Sequence, residues 1–142
     1  MNNSQEILTS ILQTTQMGQV GIRSVIDAAT QTALRSALES QLREYDAIET
    51  EAYAIASQRG WDLEELDSGK RVMADMMSRM KLGFHCTDSK IAGMMIEGNT
   101  KGVIKSLRNK HRFHKVEGPV ATLSQKLLDC ETANIRQMHP FL

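Results

Sequence analysis

Apolar residues recur at steps of three and four along most of the chain, which places them on one side of an α-helix. The clearest stretch is Leu34, Leu38, Leu42, Tyr45, Ile48, Ala52 and Ile55, with charged residues on the opposite side. Thr30 is expected as its N-cap and Gly60 as its left-handed terminator, giving a helix over about 31–59. Ahead of it, Ile7, Leu8, Ile11, Leu12, Ile22, Val25, Ile26 and Ala29 predict a helix over about 4–29, capped by Asn3 or Ser4. So short a link makes the two an antiparallel hairpin.

Beyond Gly60, Ser68 is expected to cap a shorter helix over about 68–82, carrying Val72, Met73, Met76, Met77 and Met80 and ended by Gly83. Thr87 or Asp88 opens a long helix over about 88–112, with Ile91, Met94, Met95, Ile96, Val103, Ile104 and Leu107 on its apolar side. Gly118-Pro119 opens the last, over about 119–138, with proline at the first helical position where its missing N–H is harmless. Val120, Leu123, Leu127, Leu128, Ile135 and Met138 are its apolar positions, and Pro140 stops it. Sustained alternation of β-branched residues is missing, so the fold class is all-α, in one domain over 1–142. A helix of about 26 residues is about 39 Å long, a distance that the residues between Gly60 and Cys86 can span. Two hairpins joined by one long crossover are therefore favoured over a five-helix up-and-down bundle.

Composition narrows the class further. The 142 residues hold 17 basic and 17 acidic side chains, with only two cysteines and two prolines. That excludes a disulfide scaffold and argues against disorder. Apolar runs are too short to cross a membrane. The opening MNNSQEILTS lacks a basic stretch followed by an apolar core, so a soluble cytoplasmic protein is expected.

Several segments carry a resemblance: Leu38-Glu39-Ser40-Gln41-Leu42 through Gln58-Arg59-Gly60-Trp61, the run from Ser89 to Gly102, and Glu131-Thr132-Ala133-Asn134-Ile135. With the hairpin–crossover–hairpin order, they resemble the ferritin-like superfamily and, within it, small bundles related to spore coat protein F. The resemblance implies a four-helix bundle and association with a spore coat, and no known reaction.

A ferritin-like di-iron centre takes a Glu from each of two helices and a Glu-x-x-His from each of the other two. The second helix of this chain has no histidine, and the last places Asn134 where Glu131 would require an imidazole. Acids on the first helix are confined to Glu6 and Asp27, near its ends. Glu131, Asn134 and Glu97 remain as candidate donors, with Glu131 expected to point inward and Glu97 to meet it across the bundle. His111 and His114 share ligand spacing, but Lys110, Arg112 and Lys115 beside them repel a cation. Cys86 and Cys130 have no CxxC context and are expected to be small packing residues.

Charge is unevenly spread. Between Glu39 and Asp67 nine acids face two bases, whereas Asn99–Val116 holds six bases and no acid: Lys101, Lys105, Arg108, Lys110, Arg112 and Lys115. A single aromatic, Phe113, interleaves this strip, which is therefore expected to be a solvated or interaction face. The glycines at 98 and 102 imply either close approach or a local kink.

These features lead to a non-catalytic structural or interaction protein without cofactor, with copies of itself or other coat proteins as partners, and an interior of methyls and thioethers. Two alternatives are a metal-dependent oxidoreductase with unorthodox ligands and a nucleic-acid binder acting through residues 101–115.

Overall fold

The structure is a computed structural model, and it describes residues 3–67, 71, 75 and 86–142. Four long helices make up the fold: α1 (Asn3–Val25), α2 (Thr32–Arg59), α3 (Asp88–Arg112) and α4 (Gly118–Met138). Short 3-10 turns, Ile26–Ala28 and His139–Phe141, follow α1 and α4. There are no strands among the described residues. The shorter helix expected over 68–82, with its methionine stripe, lies outside the described residues apart from Arg71 and Asp75, both helical.

Hydrogen bonds between helices fix the direction of each. Ser10 near the start of α1 accepts from Asn109 near the end of α3, and Ser4 accepts from the Glu117 amide. α1 and α3 are therefore antiparallel. Arg59 at the end of α2 pairs with Glu117 at the head of α4, while Gln41 donates to Gln137 towards the other end. α2 and α4 are antiparallel too. The start of α3 lies against the α1–α2 turn through Asp88, so α2 and α3 run parallel and the connection between them crosses the full length of the bundle. This is the expected hairpin–crossover–hairpin order. Around the bundle the sequence is α1, α2, α4, α3, with α1 also touching α4.

Local chemistry sets the helix ends. Gly60 adopts φ 68°, and the Trp61 amide reaches the Ala56 carbonyl at 2.9 Å, the Schellman closure that glycine permits without a Cβ penalty. The Thr87 hydroxyl accepts from the Lys90 amide and caps α3. The first helix ends earlier than expected, at Val25, where the backbone tightens into a 3-10 turn. Thr30 does not cap α2 either; the N-cap is Gln31, without a side-chain bond. The turn ahead of α2 is instead anchored from another helix. Asp88 accepts from the Thr30 amide at 2.8 Å, the Thr30 hydroxyl at 3.0 Å and the Gln31 amide at 2.9 Å. Backbone donation from Thr30 leads in holding its carboxyl below the usual value. Asp88→Ala is expected to cost about 1.5–3 kcal/mol near neutral pH, because the charge-assisted bonds are lost. In the unmutated protein this contribution is present above the ordinary aspartate value and is lost as the pH falls, which the difference between the unmutated protein and Asp88→Ala in urea melts at pH 7 and at acid pH can check.

The core is built from the positions the periodicity marked, with displacements that matter. Leu8, Leu12, Ile22, Val25, Leu34, Leu38, Ile48, Ala52, Ile91, Val120, Leu123, Leu127 and Met138 are all buried. Ile104 and Leu107, expected on the buried side of α3, are exposed; Gly102 and Ser106 face inward instead. On α4 the buried stripe runs Leu127, Glu131, Asn134, Met138, so Asn134 takes the position expected of Ile135. Both departures replace apolar bulk by polar or small residues at the same level of the bundle.

Three glutamines one turn apart on α1 organise the α1–α2 side. Gln19 donates to Asp46 and Glu49, Gln16 to Glu49, and Gln13 to the Glu64 carbonyl. Gln16 also accepts from the Leu66 amide at 2.9 Å. Part of the acidic run is thereby bonded to neutral amides on α1, and the beginning of the crossover is laid back along that helix.

Candidate functional site

Glu131 is the centre of the buried polar layer. Its residue is 2% exposed, and its carboxyl reaches the Tyr45 hydroxyl from α2 at 3.1 Å. The same hydroxyl lies 2.9 Å from Asn99 Oδ1 on α3. Asn134 Nδ2 donates to Asn99 Oδ1 at 3.2 Å, and Asn99 Nδ2 donates back to the Met95 carbonyl at 2.7 Å. Tyr45, Asn99 and Asn134 are each almost fully buried. The interior is therefore not confined to methyls and thioethers: a polar layer from three helices occupies the bundle centre, because hydrogen bonding offsets the cost of burying these groups.

Glycines make room for this layer. A Cβ at Gly18 would stand 2.5 Å from Tyr45 Cζ, and one at Gly102 would stand 2.6 Å from Glu131 Cδ. Of the glycines at 98 and 102, Gly102 thus serves close approach, to a carboxyl rather than to a backbone, whereas a Cβ at Gly98 meets nothing within 4 Å among the described residues. Gly18→Ala is expected to destabilise the protein by about 1–3 kcal/mol through overpacking, despite the better helix propensity of alanine. Gly93→Ala, where a Cβ also meets nothing within 4 Å among the described residues, is expected to stabilise it by up to about 1 kcal/mol. Thermal melts of the two variants read the opposite signs directly.

Proton accounting constrains the charge of the layer. The Tyr45 hydroxyl has one hydrogen and two neighbouring acceptors, Asn99 Oδ1 and Glu131 Oε2. With Glu131 ionised, one of those acceptors goes without. With Glu131 protonated, its carboxyl donates to the Tyr45 oxygen and Tyr45 donates to Asn99, so both are served. The energetics agree. Burial pushes the Glu131 carboxyl up to about 8, against opposing contributions from the Tyr45 hydrogen bond and the Lys105 charge. Burial, with the Glu131 charge second, also raises Tyr45. Partial burial holds Lys105 below its ordinary value, and Glu131 pulls the other way. At neutral pH the layer is a network of uncharged groups.

Beside it lies a cavity of about 530 Å³ between α1, α3 and the connection that carries Leu66, Arg71 and Asp75. Gly18, Ile22, Met94, Met95 and Gly102 are among its walls, and Tyr45, Asn99 and Glu131 border it from the interior. Lys101, Lys105 and Glu97 border it as well and are exposed. Oε1 of Glu131 is fully buried and, like Thr15 Oγ1 and Gln41 Oε1, has no hydrogen-bond partner among the described residues.

The remaining candidates fall apart spatially. Glu97 sits on the exposed side of α3, and Asn99, not Glu97, is the α3 residue that joins Glu131's network. His111 and His114 are exposed at and beyond the end of α3. Among the described residues no three His, Cys, Asp or Glu side chains gather as a metal site would require. Burial first, and then the bond to Glu44, drives the Cys130 thiol far above its ordinary value, so it is a donor and not a nucleophile. The basic strip is exposed throughout; Lys110 donates to Gln125, and the Arg112 guanidinium lies 4.9 Å from the centre of the Phe113 ring.

Tyr45 and Asn99 were missed as site residues from sequence. Tyr45 reads as one more apolar position of a regular stripe. The signal that could have found the layer is the pair Gly18 and Gly102, each helix-interior and each opposite a bulky polar group. No family model, no curated protein and no solved structure matches the chain. Among the described residues no helix is long and apolar enough to cross a membrane.

Proposed function

We propose that the protein is a non-catalytic interaction protein of ferritin-like connectivity, in which a neutral hydrogen-bonded layer occupies the level where di-metal bundles of that connectivity hold their ligands. One observation carries this reading: Glu131 is bonded to a tyrosine hydroxyl in a layer whose next members are two asparagines, and among the described residues the next carboxylate, Glu44, joins only through the Cys130 thiol. A di-iron or di-manganese centre needs several anionic oxygens and imidazoles converging from four helices. A single protonated carboxyl and two amides are a poor donor set for either ion. The thiol of Cys130 is held protonated, and it offers no alternative nucleophile. Association with copies of itself or with coat proteins belongs to the same reading and is supported by the segments that resemble spore coat protein F.

Metal analysis of protein purified after growth with added iron and manganese tests this reading. Metal well below one equivalent, and no oxygen uptake on adding ferrous iron, is the expected result. Stoichiometric metal that is lost in Glu131→Ala overturns it.

A further inference from the structure

The two charge runs of the chain stay apart in the fold and do not neutralise each other. Asp46 and Glu49 of α2, with Glu64 and Glu65 just beyond it, lie along the α1–α2 side, where their bonded partners are uncharged. Gln19 donates to Asp46 and Glu49, Gln16 to Glu49, and the Tyr53 hydroxyl to Glu65. Such bonds leave the charge of a carboxylate in place. Among the described residues one cation, Arg23, approaches this ridge, 3.9 Å from Asp46. The outward stripe of α3 has the opposite sign: Lys101, Ile104, Arg108 and Arg112 are spaced three and four apart and all exposed. Lys101 and Arg108 make no ion pair among the described residues. Ile104 and Leu107, one turn apart, are 42% and 41% exposed, and Tyr53 in the acidic ridge is 37% exposed. A lone exposed leucine is ordinary, but neighbouring apolar side chains framed by unpaired charge mark a contact surface. Because α2 and α3 sit at opposite corners of the bundle, ridge and stripe face different ways and cannot meet within one chain.

We infer that the acidic ridge on the α1–α2 side of one copy docks on the basic, partly apolar stripe of α3 of a second copy, joining copies head to tail. Complementarity of charge selects this partner: one chain of zero net charge supplies both surfaces. Tyr53 in the ridge offers an aromatic face for Ile104 and Leu107 in the stripe. Nucleic acid fits the stripe less well. Its phosphates give the two apolar side chains nothing to pack on, and the ring of Phe113 nearby is already faced by the Arg112 guanidinium at 4.9 Å. Two different surfaces meet, so the contact is heterologous, and every added copy presents both surfaces again. Association therefore runs beyond a dimer, and it closes only if the rotation between copies makes a ring.

This deepens the interaction reading above by naming the surfaces through which copies associate, and it rests on that reading. Sedimentation velocity of the full chain, over a range of concentration and salt, is the test. Species heavier than the monomer are expected at low salt, growing with concentration. In about 1 M salt, where charges are screened beyond about 3 Å, association is expected to weaken about tenfold or more. Reversing the stripe, with Lys101→Glu and Arg108→Glu together, is expected to give a monomer at low salt. Reversing the ridge, with Glu64→Lys and Glu65→Lys together, is expected to do the same. All four substitutions in one chain make the surfaces complementary again and are expected to restore association, which damage to the fold could not do. Ile104→Ser with Leu107→Ser is expected to weaken association roughly tenfold at every salt concentration. A monomer under all conditions overturns the inference, as does a chain with all four substitutions that stays monomeric. Dispersal of the oligomer by a DNA duplex, with DNA binding lost on stripe reversal, overturns it in favour of nucleic acid. An oligomer indifferent to both reversals sinks this inference alone, whereas stoichiometric iron or manganese sinks the reading on which it rests.

Discussion

Glu131→Gln is expected to abolish most of the pH-dependent loss of stability that the unmutated protein shows as the pH rises from 4.5 to about 8, the interval between the ordinary glutamate value and that of this buried carboxyl. The folded chain binds the proton of Glu131 more tightly than the unfolded chain does. Between the two values the native state therefore holds more protons, and stability falls as pH rises. The contribution is complete below the unfolded value and is lost through the folded one. Its steepest slope is about 1.4 kcal/mol per pH unit. Over this interval the loss amounts to several kcal/mol, a large share of the total stability of about 5–15 kcal/mol usual for a domain. The charged and titratable groups around Glu131 do not reverse this sign: Lys105 from α3 already opposes the shift, and burial holds Tyr45 from α2 and the Cys130 thiol protonated. Urea melts at pH 5 and pH 9 should thus differ strongly in the unmutated protein and little in Glu131→Gln. Asp88 acts in the opposite direction at acid pH, so maximum stability is expected between the two limbs.

Tyr45→Ala is expected to cost about 3–5 kcal/mol, the range for removing a large ring from a well-packed core, since Tyr45 is 2% exposed and packs against Gly18. Tyr45→Phe separates the ring from its hydroxyl. It keeps the packing, strips Glu131 of its partner, and is expected to cost about 1–3 kcal/mol. A double-mutant cycle with Glu131→Gln isolates the coupling, because the ring stays in place in both singles. Denaturant midpoints for the four proteins, with unchanged slopes, provide the measurement.

The helical layout was legible because it rests on local chemistry. The stripe of α2, the left-handed glycine at 60, the proline at the head of α4 and the polar cap at Thr87 act within a few residues of themselves. Direction was legible for a different reason: the crossover is long enough to traverse the bundle. The Asp88 cap on the α1–α2 turn was hidden, since its donors are 57 and 58 residues away in sequence. Glu131 could be placed on the inward side of α4, yet its partners could not. Tyr45 has a ring that satisfies the apolar period and a hydroxyl that the period ignores, and Asn99 lies in a stretch where the buried side of α3 passes from methionine to glycine and serine. Periodicity reads bulk and misses polarity when a neutral network replaces a hydrophobic layer. The cavity is equally invisible in a sequence pattern, because it consists of side chains that glycines lack.

The central claim is that Glu131 is an uncharged carboxyl at neutral pH, held by Tyr45 in the bundle interior. Carbon-13 labelling of the glutamate side chains, with the Glu131 Cδ signal assigned by its disappearance in Glu131→Gln, measures this directly. A titration midpoint near 8 is the result expected from its burial. A midpoint near the ordinary glutamate value would contradict the account.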